Sequence, residues 1–235
     1  MKTALLFSGG KDSMACLYLY RDKLSEIDVI WTNTGKNYPE VLATIEAARK
    51  MCPNWHEVRS DRDAQWAAMG MPSDLVPVDW TDVGQYVSHA KAIKVQSYIN
   101  CCFANIIAPT WAKVRELGCV EVIRGQRKSE AHKAPAGDVD GIKVIQPIED
   151  WTDAEVFAYL QEKMGALPEH YALEHSSMDC YDCTGYAAHS ADRIAYTKKR
   201  HPVLYAAYVG NYAALTGAIS EVLTQYERIG HAILD

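Results

Sequence analysis

Short apolar runs alternate with longer stretches of helical spacing over the first third of the chain. "TALLF" predicts a buried strand, "DSMACLYLYRDKL" a helix, "DVIWTNTG" a second strand and "PEVLATIEAARKM" a second helix with Pro39 near its first turn, where a missing N–H costs nothing. "HEVRS" then predicts a third strand. Strands separated by helices at this spacing imply an α/β fold: a doubly wound, mostly parallel sheet with helices on both faces. Ligands in such folds sit at the carboxyl ends of the strands.

Residues 60–100 break this rhythm with a stretch containing Trp, Met and Pro, which predicts a loop and short helices over the sheet edge. Beyond it, "CCFANIIAPTWAKVRELG" is helical in pattern, with Pro109 expected to kink or split it, and "CVEVIRG" and "IKVIQP" are strand-like. "WTDAEVFAYLQEKM" carries Thr152 as an N-cap and Glu155 three residues on, a capping box. From about Pro202 the tail places Leu204, Tyr208, Leu215, Ile219, Leu223 and Tyr226 near helical spacing, interrupted at Gly210 and Gly217. Core packing and a homodimer through these C-terminal helices both account for that apolarity.

A chain of 235 residues can bury a sizeable core. A formal charge of -6 argues against indiscriminate nucleic-acid binding and favours a small ligand. The cysteines number seven, an odd count in a chain with no secretory h-region, which points to a reducing, cytoplasmic compartment. Residues 202–220 carry no charge, but Asn211, Thr216, Ser220 and several tyrosines interrupt the apolarity that a spanning helix requires, so membrane insertion is not expected.

Between the first strand and the first helix stands "SGGKDS", residues 8–13. Two glycines there let backbone N–H groups approach an anion, and the helix N-terminus adds partial positive charge. Ser8 and Ser13 can donate hydroxyl hydrogen bonds, Lys11 supplies charge, and Asp12 can cap the helix or help hold Mg2+ on phosphates. The spacing matches neither the Walker loop nor the G-x-G-x-x-G dinucleotide fingerprint. It resembles instead the PP-loop of the ATP pyrophosphatases and adenine nucleotide alpha hydrolases, which implies cleavage of ATP between its alpha and beta phosphates. "TNTGKNYPE" is similar to the stretch after the second strand in that superfamily and would place Thr34 and Gly35 beside the nucleotide.

Cys101 and Cys102 are adjacent, and Cys180 and Cys183 form C-x-x-C. Buried packing, zinc and a [4Fe-4S] cluster all remain open from the residues alone, and compartment disfavours a disulfide. Cys16, Cys52 and Cys119 fall on helix or strand positions and read as packing. The order CC, about eighty residues, then C-x-x-C resembles the cluster signature of assimilatory adenylyl-sulfate reductases, within the phosphoadenosine phosphosulfate (PAPS) reductase family. That resemblance implies a [4Fe-4S] cluster on the four cysteines. "IRGQRKSEAHK" is similar to the family's G-x-R-x-x-E-S region through Gly125 and Arg127, though Ser129 here precedes Glu130. "VIQPIEDWTDAEVFAYL" matches its Pro, Trp-Thr and helix stretch at Pro147, Trp151 and Thr152. Arg127, Lys128 and Lys133 form a cationic group suited to phosphate or sulfate oxygens.

The resemblance implies residues 1–150 as a PP-loop nucleotide-binding domain. Residues 151–235 then form a cluster-closing loop and a C-terminal helical region packed on the same domain. Lys11, Asp12 and Arg127 are the catalytic candidates, with ATP or an adenylyl sulfonucleotide as ligand. Sulfonucleotide reductases use a cysteine in a C-terminal Glu-Cys-Gly-x-His motif, whereas no cysteine follows Cys183 here. Three readings follow: an ATP-dependent sulfurtransferase, a sulfonucleotide reductase using another or a partner's thiol, and a nucleotide-binding iron–sulfur module without turnover. The first two call for a sulfur- or electron-donor protein, and a nucleic-acid acceptor stays open although the net charge opposes a large one.

Overall fold

The computed structural model describes residues 1–88, 94–130, 137–172, 178 and 180–234. In chain order its first elements are β1 (Thr3–Leu6), α1 (Lys11–Leu19), β2 (Ile27–Asn33), α2 (Pro39–Arg49), β3 (Trp55–Arg59) and α3 (Arg62–Met69). There follow β4 (Met71–Ser73), α4 (Asp82–Ser88), β5 (Val95–Ser97), α5 (Tyr98–Cys102) and α6 (Ala108–Glu116). The last are β6 (Glu121–Arg124), β7 (Lys143–Ile145), α7 (Asp153–Met164), α8 (Ala191–Arg200) and α9 (Pro202–Leu234). The chain groups into two compact units, residues 1–60 with 106–178, and residues 61–105 with 179–235. This differs from the single cut expected near residue 150, because residues 61–105 leave the α/β alternation and group with the tail.

In the first unit β1 is the middle strand of a five-stranded sheet of order β3-β2-β1-β6-β7, all neighbours parallel. Strand alternation sends successive side chains to opposite faces. Ala4, Ile30 and Val122 meet Val114, Trp111 and Leu117 from α6 and its end, and Thr32 Oγ1 lies 2.7 Å from Thr110 Oγ1. Leu5, Val29 and Ile123, of opposite parity and fully buried, face the other layer, where right-handed crossovers place α1 and α2. Apolar residues on both faces are what a fully covered parallel strand requires.

Helix α7 starts as its sequence dictates: Thr152 Oγ1 accepts the Glu155 N–H while the Glu155 carboxylate accepts the Thr152 N–H, a complete capping box. The stretch expected to be kinked or split at Pro109 is helical throughout residues 98–116, with a π-helical segment, Phe103–Ile107, between α5 and α6 and Pro109 in the first turn of α6.

In the second unit, β4 and β5 form a separate two-stranded parallel pair. Strands this short carry too little alternation to be read from sequence, and none was expected in residues 60–100. Helix α9 runs unbroken through Gly210 and Gly217, a correction to the expected interruptions. Each glycine costs the helix about 1 kcal/mol, and packing offsets it: Leu215 and Ala218 join Val95, Met71 and Trp80 in this unit's core. Among the described residues no helix is long and apolar enough to cross a membrane.

Ile123→Ala is expected to lower unfolding stability by about 2–5 kcal/mol and Thr152→Ala by about 1 kcal/mol. Urea unfolding of the two variants checks this; equal midpoint shifts would contradict the assignment of one to the core and the other to an exposed cap.

Candidate functional site

From β1 the chain moves outward through β2 and β3, and it later returns to the other side of β1 as β6. This reversal makes a switch point between β1 and β6, the place where open α/β sheets take their ligands. Both loops carry the residues singled out from sequence. Gly9 has φ +84°, and a Cβ there would meet Val41 and Ile45 of α2 at 3.0 and 3.1 Å. Gly125 is more constrained, since a Cβ would lie 2.5 Å from the Asp12 carbonyl carbon and oxygen and 2.8 Å from the Ser13 nitrogen. The loop after β6 therefore rests backbone to backbone on the first turn of α1.

The loop after β1 is shaped by its hydroxyls. The Ser8 N–H donates to Ser13 Oγ (3.2 Å), the Gly10 N–H to Ser8 Oγ (3.3 Å), and Ser13 Oγ donates to the Gly10 carbonyl (2.9 Å). Gly10 is the N-cap of α1 and has no side chain to cap it, so the helix end keeps the positive partial charge that attracts anions.

Around this helix end sit two buried cations among three carboxylates. Arg127 Nε donates to Asp12 Oδ1 (2.7 Å), its Nη2 to Asp153 Oδ1 (2.8 Å) and its Nη1 to Ser129 Oγ (3.1 Å). Lys11 Nζ lies 3.0 Å from Asp12 Oδ2 and 3.1 Å from Asp153 Oδ1, and 5.9 Å from the centre of the Phe157 ring. Glu130 Oε1 accepts the Arg127 backbone N–H at 3.1 Å. Burial raises the Glu130 carboxyl pKa above its ordinary value, and the Asp12 charge adds to this against the Arg127 N–H. Tyr171 is buried and its phenol is pushed up by that burial and by Asp12, against a hydrogen bond from the Lys11 backbone. Beside the network lies a cleft of about 260 Å³ walled by residues 127–129 and 149–153.

The structure thus brings Ser8, Gly9, Gly10, Lys11, Asp12, Ser13, Gly125 and Arg127 together. Arg127 is 5% exposed, so it is not part of a solvated charge run. Lys128 is exposed and pairs with Asp150 at 2.6 Å, on the wall of the cleft. Thr34 and Gly35 lie just beyond β2, next to β1 in the sheet; the Gly35 N–H is held by Asn33 Oδ1 at 2.8 Å. Lys133 lies outside the described residues. Sequence reasoning missed Asp153 and Tyr171. Asp153 opens α7 directly after the capping threonine, a position where an acid is so ordinary that it signals nothing, and Tyr171 lies in a short 3-10 turn without periodicity.

The four cysteines of the expected cluster all fall in the second unit. Trp66 Nε1 donates to Cys101 Sγ at 3.2 Å and Asn105 Nδ2 approaches the same sulfur at 3.7 Å. Burial raises the Cys101 thiol pKa, opposed by the Trp66 hydrogen bond and the Arg62 charge. Among the described residues no three Cys, His, Asp or Glu side chains are gathered as a metal site. Cys16, Cys52 and Cys119 are buried in packing positions; burial pushes the Cys16 thiol up to about 12 and the Cys52 thiol to about 11, so neither ionises near neutrality.

A parallel doubly wound sheet with an uncapped helix end, a glycine loop and a guanidinium at its switch point places the chain in the α/β class. Residues 2–186 match the phosphoadenosine phosphosulfate reductase domain, and the chain belongs to that family. It is similar to an adenosine 5'-phosphosulfate reductase from Burkholderia cepacia, with 25% identity over 164 residues, or 67% of this chain and 60% of the relative's length. In fold it is similar to the crystal structure of phosphoadenylyl-sulfate reductase from Candida auris in complex with phosphate. That likeness has a TM-score of 0.53 and 19% identity, over 78% of this chain and 83% of the other.

Gly125→Ala is expected to cost at least about 2 kcal/mol, because backbone must move to admit the methyl group. Gly10→Ala, where the nearest heavy atom is Ser8 Oγ at 3.5 Å, is expected to cost about 1 kcal/mol or less. Thermal and urea unfolding compare them; equal tolerance would mean the two loops are not in contact.

Proposed function

We propose that this chain binds ATP at the Ser8–Ser13 loop and couples cleavage between the alpha and beta phosphates to sulfur transfer. The observation that carries the reading is the paired network of Lys11, Arg127, Asp12 and Asp153 at the N-terminus of α1. A sulfonucleotide needs cations alone, whereas a triphosphate also needs a divalent ion held by one or two carboxylates. Asp12 and Asp153 would hold Mg2+, which supplies charge neutralisation on the polyphosphate when bound. With those carboxylates engaged, Lys11 and the Arg127 fork are released to phosphate oxygens. In the reaction an acceptor oxygen attacks the alpha phosphorus and pyrophosphate leaves; a sulfur nucleophile then displaces AMP from the activated acceptor.

The same proposal includes a [4Fe-4S] cluster on Cys101, Cys102, Cys180 and Cys183. What supports it is the donor chemistry: soft sulfur ligands, two N–H groups directed at the Cys101 sulfur and a buried guanidinium whose charge acts on Cys101 and is acted on by Cys180. Hydrogen bonds and positive charge at ligand sulfurs are the means by which proteins tune such clusters. A second reading, reduction of adenylyl sulfate or PAPS to sulfite with another or a partner's thiol, is favoured by the names of the family and of the Burkholderia cepacia relative.

The deciding experiment uses protein purified without oxygen. It is supplied with Mg-ATP and sulfide, with bulk tRNA or DNA as acceptors in parallel, and separately with each sulfonucleotide and thioredoxin. Equal release of AMP and pyrophosphate is expected, falling about 100- to 1,000-fold in Lys11→Ala and Arg127→Ala. Sulfite from a sulfonucleotide with intact ATP would establish the second reading instead. Nucleotide binding with no product in either arm would leave a binding module.

A further inference from the structure

Arg62 is 3% exposed, and its guanidinium is held by both oxygens of Asp182, itself buried, at 2.5 and 2.6 Å. Its carbon lies 4.0 Å from the centre of the Trp66 ring. Its Nε has no partner among the described residues. Taking a guanidinium and a carboxylate out of water is costly for both ions, so such a pair is weak as a source of stability. Its position supplies a different account. Asp182 is the residue before Cys183 in the C-x-x-C turn, where the Cys183 N–H donates to the Cys180 carbonyl at 3.1 Å. Trp66, under the guanidinium, is the residue whose indole N–H points at the Cys101 sulfur.

One side chain thus touches the turn bearing Cys180 and Cys183 through Asp182, and through Trp66 it touches the group that donates to Cys101. Both connections run within the second unit. A guanidinium is not deprotonated in a protein, so the cation is permanent. The residue before Trp66 on α3 is itself anchored. Gln65 exchanges hydrogen bonds with Gln96 at 2.7 and 2.9 Å and accepts from Asn105 Nδ2 at 3.2 Å, and Asn105 also donates to the Cys101 carbonyl at 2.9 Å.

We infer that Arg62 is the positioning residue of the cysteine site: through Asp182 and Trp66 it fixes the C-x-x-C turn and the Cys101 sulfur in one arrangement, and it is the fixed counter-charge for thiolate ligands. The inference rests on the cysteine-ligated cluster proposed above. The charge and the indole N–H both stabilise the electron-richer state of a bound centre, so each holds its reduction potential up. The guanidinium fork, unlike an ammonium, can satisfy both Asp182 oxygens at once.

The test uses the full chain purified without oxygen as wild type, Arg62→Lys, Arg62→Gln and Trp66→Phe. Iron and sulfide content and EPR-monitored redox titration are measured on each, and cobalt(II) is added to metal-free protein as a separate probe of thiolate ligation. Wild type is expected to carry the cluster and to give the intense near-ultraviolet sulfur-to-cobalt bands. Trp66→Phe keeps the ring beneath the guanidinium and is expected to retain iron with a more negative potential. Arg62→Gln is expected to lose most of its iron and its cobalt bands, with Arg62→Lys recovering part of both. Wild-type potential and iron content in Trp66→Phe and Arg62→Gln would overturn the inference while leaving the cluster intact. Wild type with neither iron nor cobalt–thiolate bands would overturn the cluster, and the inference with it.

Discussion

A buried cation must keep a partner, and at the switch point of the sheet that constraint organises everything around it. Arg127 leaves β6 on a loop whose preceding Gly125 lies against the backbone of Asp12 and Ser13. It can lie there only because Asp12, at the start of α1, and Asp153, at the start of α7, accept its N–H groups. Three segments far apart in sequence are tied by one guanidinium. The chain's parallel strands bring them to the same edge, and the absence of a side chain at Gly125 lets the backbones close.

The arrangement also keeps the cations in reserve. Lys11 and Arg127 both spend their charge on Asp12 and Asp153, and an entering anion competes with two carboxylates for the same donors. Asp153 is 61% exposed at its side chain, so its share of the pairing is the one that water or a ligand replaces at least cost. Asp12 is the more enclosed partner and sits at the positive end of α1, where a negative charge is favourable. The α7 side is thus the more solvent-exposed side of the network, and Lys128, Ser129 and Trp151 line the cleft there.

The strand–helix alternation and the Gly-Gly loop were legible because each is a local statement: an apolar run, a turn that needs φ above zero, a helix end that needs no Cβ. The same holds for Thr152 and Glu155, three residues apart. Asp153 was not legible, because its role is set by Lys11 and Arg127, which arrive on the loops that follow β1 and β6. The second unit was illegible for a related reason. Strands β4 and β5 have three residues each, too few for a period. Residues 61–105 pack with the tail, a pairing that no local pattern encodes. The full length of α9 was likewise hidden, since Gly210 and Gly217 are helix-breaking in isolation and only the burial of Leu215 and Ala218 overrides them.

The two buried arginines make opposite use of the same chemistry. Arg127 divides its fork between two aspartates on different elements, one of them open to water, so its pairing can be exchanged for an incoming oxyanion. Arg62 gives both arms by hydrogen bond to one buried aspartate, the two side chains being 2% and 6% exposed, while the exposed Asp63 carboxylate stands 3.6 Å from its Nη2, beyond hydrogen-bond distance. Exchanging that pair would strand two unpaired ions out of water, at several kcal/mol each. The first geometry suits a group that must meet a ligand and release it. The second suits a fixed charge beside the cysteine sulfurs, and the difference follows from how each fork is divided and how far its hydrogen-bonded partners are exposed.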